Sequence, residues 1–227
     1  MIPFDAIVFD FDGVLLESEL ELNLLTAELL TKLGYPTTLE EALEHYTGLT
    51  GQDVVRAMEA RIGGPVPEAF HGAMREASRR ALAEGIEPIA GAVEFVQALP
   101  SQLPRAVASS SSTHWVLTHL DHLGLRGAFE PHVYSGKEHV TRGKPAPDLY
   151  LHAARELGVD IGRTIILEDS KIGAIGALAS GAIVVGVAAG KHCVDGHAEM
   201  LRNVGVEHIA SSFDEVARLL RLDQASK

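Results

Sequence analysis

The sequence predicts an α/β protein, a doubly wound and mostly parallel sheet that carries an inserted all-helical unit. Three observations predict it. Short apolar runs recur along the chain, helical patterns separate them, and one long stretch interrupts the alternation without supplying a strand.

The first run, Ala6-Ile7-Val8-Phe9, ends in acidic residues and reads as a buried central strand. Similar runs follow at Ala106-Val107-Ala108, His132-Val133-Tyr134, Thr164-Ile165-Ile166-Leu167 and Ile183-Val184-Val185, with a weaker one at Glu207-His208-Ile209. Helical patterns fall between them at 92–99 after Gly91, at 113–123 before Gly124, at 147–157 before Gly158, and at 213–222. Strands alternating with helices of this length imply parallel strands with helices on both faces. Residues 16–86 differ. Leu22, Leu25, Leu29 and Leu33 follow helical spacing until Gly34 and Pro36 stop them. Thr38-Leu39-Glu40-Glu41 fits a capping box. Val54, Val55, Met58 and Ile62 mark another helix before Gly63-Gly64, and Phe70, Ala73, Met74, Ala77 and Ala81 mark one before Gly85. The expected division is a core at 1–15 and 87–227 with a helical cap at 16–86.

Composition narrows the function classes. Of 227 residues, 46% are hydrophobic and 22% charged, the balance of a soluble globular chain rather than a disordered one. The net charge of -12, with no Lys/Arg block, argues against nucleic-acid binding. An anionic substrate would then need a local cation, a metal or backbone N–H groups. The single cysteine, Cys193, permits no intramolecular disulfide and suits a cytoplasmic location. The N-terminus lacks the basic and apolar regions of a secretory signal. Residues 172–190 are uncharged and about as long as a membrane span. Their five glycines and their change of pattern at Gly181 instead predict helix, turn and buried strand, with no membrane partner.

Four short segments carry chemistry. Asp10-Phe11-Asp12-Gly13-Val14 follows the first strand, where open parallel sheets bind ligands. Two neighbouring carboxylates there call for a cation or a shared proton. Ser109-Ser110-Ser111-Ser112-Thr113 offers hydroxyls and N–H groups suited to phosphate oxygens. Gly143-Lys144-Pro145-Ala146-Pro147-Asp148 holds a lysine on a proline-stiffened segment. Glu168-Asp169-Ser170 places two acids after another strand, where they could complete a hard-cation site with Asp10 and Asp12. Each has a plain alternative when taken alone: a solvated turn, a serine N-cap, a surface lysine, helix-start acids. Their joint order at successive strand ends would bring one nucleophile, one divalent metal and one phosphate clamp together.

In these segments the chain resembles the haloacid dehalogenase-like hydrolase superfamily, in the branch with a helical cap after the first strand. The resemblance runs from about Ile7 to Ala188 and implies a Rossmann-like core. It rests on Phe9-Asp10-Phe11-Asp12-Gly13-Val14-Leu15, Ala108-Ser109-Ser110-Ser111, Gly143-Lys144-Pro145-Ala146-Pro147-Asp148 and Leu167-Glu168-Asp169-Ser170. It implies that Asp10 is the nucleophile, forming an aspartyl-phosphate. Asp12 would be general acid and then base, its carbonyl also binding metal. Asp169 would bind Mg²⁺, with Glu168 beside it directly or through water. Ser109 and the Ser110 N–H would hold phosphate oxygens, and Lys144 would orient Asp10 and offset charge. Asp12 distinguishes phosphatases from true dehalogenases, which the resemblance says lack it.

Departures bear on the substrate. Leu16-Glu17-Ser18-Glu19 stands where Val-Asp-Ser-Glu is common. Leu22 stands at the position of the cap histidine of β-phosphoglucomutases, and Gly51 where their cap arginine grips a second phosphate. Both favour a hydrolase of a small phosphorylated metabolite, such as a sugar phosphate or phospho-sugar acid, in the manner of 6-phosphogluconate phosphatases. A mutase of the same fold and a non-catalytic binding protein are the rival readings. Thr50, Gln52, Arg75 and Arg79 are candidate cap residues, the arginines having a solvated helix face as their plainer reading. His114, His119 and His122 share one predicted helix, read with Trp115 as a helix surface, and His192-Cys193 reads as a loop. A monomer or small homo-oligomer is expected.

Overall fold

The computed structural model describes residues 3–47, 49 and 52–222. Thr50 and Gly51 lie outside the described residues, as does the side chain of Gln52. Six parallel strands, β1 (Ala6–Phe9), β2 (Arg105–Ser109), β3 (Val133–Ser135), β4 (Thr164–Glu168), β5 (Ile183–Val187) and β6 (His208–Ala210), pair in the order β3-β2-β1-β4-β5-β6. The order reverses direction between β1 and β4, the switch point at which α/β sheets bind ligands.

Alternation along β1 explains its central place. Ile7 and Phe9 enter one buried cluster, and Val8 enters the cluster on the opposite face. Phe9 meets the Phe129 ring edge-on at 5.4 Å. Burying a ring of this size is worth about 2–3 kcal/mol. Helices cover both faces: α5 (Ala92–Ala98), α6 (Thr113–His122), α7 (Arg126–Phe129) and α11 (Phe213–Leu220) on one, α8 (Asp148–Leu157), α9 (Lys171–Ala179) and α10 (His197–Asn203) on the other.

Between β1 and α5 lie α1 (Ser18–Lys32), α2 (Leu39–Tyr46), α3 (Gln52–Ile62) and α4 (Glu68–Glu84), with no strand among the described residues. They share a hydrophobic cluster of their own, including Leu30, Tyr46, Met58 and Phe70. The capping box opens α2: Glu41 N–H donates to Thr38 Oγ1 at 3.1 Å, and Thr38 N–H to Glu41 Oε2 at 3.0 Å. The helices α7 and α10, only four and seven residues long, had no sequence-based expectation. Residues 172–190 form most of α9 and then β5. Among the described residues no helix is long and apolar enough to cross a membrane.

Candidate functional site

Register brings the four segments together. Phe9 pairs with Val107 of β2 and with Leu167 of β4. Asp10, Ser109 and the Glu168-Asp169 pair therefore leave the sheet at one edge. The Asp10 N–H still donates to the Leu167 carbonyl at 2.9 Å, which fixes its backbone. The Lys144 loop, after β3, reaches the same edge across 134 residues of sequence.

The centre is a buried charge cluster. Lys144 Nζ donates to Asp10 Oδ1 at 2.5 Å and to Glu168 Oε1 at 2.8 Å, and all three side chains are nearly or wholly inaccessible. Tyr150 OH donates to the same Glu168 oxygen at 3.1 Å, while the Ser170 N–H holds Oε2 at 2.7 Å. Asp10, Glu168 and Asp169 bring one carboxylate oxygen each within 4.8 Å of one another. Burial pushes the Asp10 carboxyl well above its usual range; the Lys144 ammonium opposes this, and the charges of Glu168 and Asp169 add to it. Asp169 is likewise raised by burial and by Glu168. Burial alone would lower the Lys144 pKa, but the Asp10 and Glu168 carboxylates outweigh it and hold the ammonium protonated.

One ammonium among three carboxylates leaves the cluster short of positive charge. Asp169 Oδ1 is buried and has no hydrogen-bond partner. An all-oxygen donor set with an orphaned carboxylate oxygen fits a hard divalent cation.

Two glycines make this geometry possible. Gly13 has φ +81°, and a Cβ there would lie 2.1 Å from Asp169 Oδ2. A Cβ at Gly173, near the start of α9, would lie 1.5 Å from Glu168 Oε1. Both acids of the second pair are thus seated against bare backbone.

Asp12 is held differently. Its Oδ1 accepts from Ser18 Oγ at 2.7 Å and from the Trp115 indole N–H at 3.1 Å. Its Oδ2 accepts from Ser111 Oγ at 2.7 Å and, at 3.4 Å, from Ser109 Oγ. Ser109 is fully buried and itself accepts the Ser111 N–H at 2.9 Å. Ser110 lines the adjoining cavity.

That cavity, of about 850 Å³, lies between the inserted helices and the strand ends. Asp10, Asp12, Ser110 and Lys144 form its floor, and Leu22, Leu25, Val55, Phe70, Met74 and Trp115 are among its apolar wall residues. Glu19 also lines it; burial and the neighbouring carboxylates of Asp169 and Asp12 push its pKa up to about 8.

Several residues fall elsewhere than the sequence suggested. Trp115 is not a bare helix surface, since its indole reaches Asp12 across 103 residues. His119 is fully buried against the Trp115 ring, 4.2 Å between centroids. Arg75 and Arg79 are exposed and pair with Glu68 and Glu76, on the solvated face of their plainer reading. Glu17, one methylene longer than the common aspartate, accepts the Lys191 N–H at 3.0 and 3.2 Å. The His192-Cys193 loop, given no role from sequence, lies beside the site: His192 Nε2 is 2.9 Å from Asp169 Oδ2. No periodicity or local motif marks Trp115 or His192, because their partners are distant in the chain.

The haloacid dehalogenase-like hydrolase family model matches residues 7–187. Fructose-1-phosphate phosphatase of Escherichia coli (strain K12) is 30% identical over 188 residues, 81% of this chain and 96% of that protein. A conserved haloacid dehalogenase-like protein of Agrobacterium tumefaciens superposes with a TM-score of 0.86 at 32% identity, covering 97% of this chain and 99% of that one. A hydrolase of the family from Deinococcus radiodurans, solved with bound phosphate and sodium, gives 0.80 at 30% identity, covering 100% and 99%. The family match takes in all four loops that converge on Asp10, and by it the chain belongs to the haloacid dehalogenase-like hydrolases.

Proposed function

We propose that the chain is a Mg²⁺-dependent phosphatase that hydrolyses a small phosphorylated metabolite, a sugar phosphate or phospho-sugar acid, through an aspartyl-phosphate on Asp10. The observation that carries this reading is the pairing of two differently held carboxylates at the floor of one cavity. Asp10 is fixed by a single ammonium, and Asp12 is surrounded by hydroxyl and indole donors.

In the first step the ionised Asp10 bonds through one oxygen to phosphorus as the P–O bond to the leaving group breaks, and Asp12, which must enter this step protonated, gives that proton to the departing alkoxide. In the second, water bonds to phosphorus, the Asp10–phosphorus bond breaks, and Asp12 takes the proton from water. Lys144 holds Asp10 in place and offsets phosphoryl charge. Asp10, the Asp12 carbonyl and Asp169 would hold the cation, which supplies charge neutralisation at the phosphoryl oxygens. Both oxygens of Glu168 are already engaged, by Lys144 and Tyr150 on one side and Ser170 on the other, so its role is to fix Lys144 from behind. Of the expected phosphate pair, Ser109 is buried beside Asp12, while Ser110, with Ser111 next to it, borders the cavity where phosphate oxygens would sit.

Leu22 lines the cavity, so the position that the resemblance assigns to a mutase histidine carries no proton-transfer group. Polar residues share the wall, His71, Ser78, Arg80 and Lys137 among them, and offer partners for the hydroxyls of a sugar beyond its phosphoryl end. Similarity to the Escherichia coli fructose-1-phosphate phosphatase supports a phosphorylated sugar as the class. The test is phosphate release across a panel of phosphorylated metabolites with and without Mg²⁺. Asp10→Asn should abolish release and chelator should suppress it reversibly. Full turnover by that variant, or in chelator, would overturn the reading.

A further inference from the structure

We propose that His192 and His197 form a two-imidazole clamp on Asp169 that leaves one carboxylate oxygen, Oδ1, free to face the cation. The inference rests on the reading of the site as a metal-dependent phosphatase. His192 lies on the loop after β5, and His197 opens α10. His192 Nε2 meets Asp169 Oδ2 at 2.9 Å, and His197 Nε2 meets the Asp169 backbone carbonyl at 2.8 Å. A carbonyl oxygen can only accept, so His197 presents a proton on Nε2, and an Asp169 carboxylate ionised to hold the cation requires the same of His192.

For His192 the surroundings enforce that tautomer. Its Nδ1 is buried without a partner. A Cβ at Gly190 would lie 2.4 Å from this nitrogen and 3.0 Å from the Ile89 Cδ1. A proton on Nδ1 would be a buried donor facing aliphatic carbon, whereas a bare lone pair there costs less.

The loop that carries His192 is itself tied down. The Glu17 carboxylate accepts the Lys191 N–H, and the Lys191 ammonium pairs with Glu87 at 2.8 Å. On its other side Asp169 Oδ2 rests against Gly13. One oxygen is therefore wedged between imidazole and glycine, and rotation of the carboxylate is blocked. The remaining oxygen is the buried, unpartnered Oδ1. Outer partners of this kind orient a ligand before the ion arrives.

Cys193 Sγ lies 3.4 Å from His192 Nε2, and His192, Cys193 and His197 together have the spacing of a possible metal group. One observation favours the clamp: both Nε2 atoms are committed to Asp169.

The experiment uses Mn²⁺ as the probe on the full chain, with free ion read by electron paramagnetic resonance without substrate. His192→Leu removes the donor and should weaken Mn²⁺ binding by about 10- to 100-fold. His192→Gln restores an N–H donor and should recover most of that affinity. At saturating metal the Leu variant should regain most of its kcat, whereas a general structural lesion would not respond to metal. Should the Leu variant fail to fold, His197→Ala carries the test, with a smaller loss expected. Cys193→Ser should bind as the wild type does. A wild type that binds Mn²⁺ with folded His192 or His197 variants binding equally well would overturn the clamp alone. A wild type that binds no divalent ion would overturn the phosphatase reading with it. A stoichiometric transition metal that co-purifies and is lost in Cys193→Ser would show the imidazoles serving a metal of their own, and would also overturn the clamp.

Discussion

Replacing Lys144 with Met keeps the length of the side chain and removes its charge. In the wild type the ammonium sits 2.5 Å from Asp10 and 2.8 Å from Glu168, with all three side chains almost fully shielded. At an effective dielectric of about 20, each contact is worth roughly 6 kcal/mol of attraction. Desolvation of the ammonium offsets much of this, and removal of one partner from a buried pair costs about 3–5 kcal/mol in practice. The variant should therefore lose about that much unfolding free energy in chelator at pH 7.5, read by urea denaturation. The sign of its pH dependence follows from Asp10. Its carboxyl is already raised by burial, and the substitution removes the one cation opposing that rise. A raised acid stabilises the folded state less as pH rises towards its folded pKa, so the deficit should shrink on acidification. Phosphate release should fall by at least about 10²–10³. A variant as stable as the wild type in chelator at pH 7.5, or a deficit that grows on acidification, would refute the charge-cluster argument.

Gly13→Ala should cost about 1–2 kcal/mol in backbone strain at φ +81° and should push Asp169 aside, so melting temperature and Mg²⁺ affinity both fall; unchanged Mg²⁺ affinity by calorimetry would contradict the close approach. Trp115→Phe keeps the ring against His119 but loses the indole donor to Asp12, so kcat should drop by about 10-fold with KM nearly constant; a change confined to KM would place Trp115 in substrate binding alone. Glu19 has a folded pKa of about 8 against 4.5 for the free side chain. The folded state therefore binds the extra proton between those values, and stability in chelator should fall as pH rises through that window. Glu19→Gln should flatten the slope by up to about 1.4 kcal/mol per pH unit, measured by denaturation across the range.

The sheet and the charged strand ends were readable from local pattern, because a short apolar run that stops at paired acids suits a buried strand and suits neither a surface helix nor a loop. Ala6 to Phe9 and Thr164 to Leu167 are such runs, and both are strands that end beside acids. The helix spacing of Leu22, Leu25 and Leu29 located α1, although Ser18, where it begins, could not be placed from spacing. The second layer of the site was not readable. Trp115 lies in the first turn of α6 and looks like any packing residue until the fold brings it to Asp12. His192 and His197 sit in a loop and a seven-residue helix without periodicity. Their shared partner is Asp169, more than twenty residues earlier in the chain. Their roles depend on direction, and a side chain's direction is set by tertiary packing rather than by residue spacing.

The strand order has a consequence for biogenesis. Because β1 lies between β2 and β4, its backbone is satisfied on both edges only after β4 has been made. During translation this wholly apolar strand must wait with both flanks open until β2 emerges from Arg105, and then with one flank open until β4 emerges from Thr164. Non-local parallel pairing of this kind is slow to form and prone to off-pathway association. Nascent chains stalled before residue 164 should therefore engage holding chaperones, and longer ones should escape them.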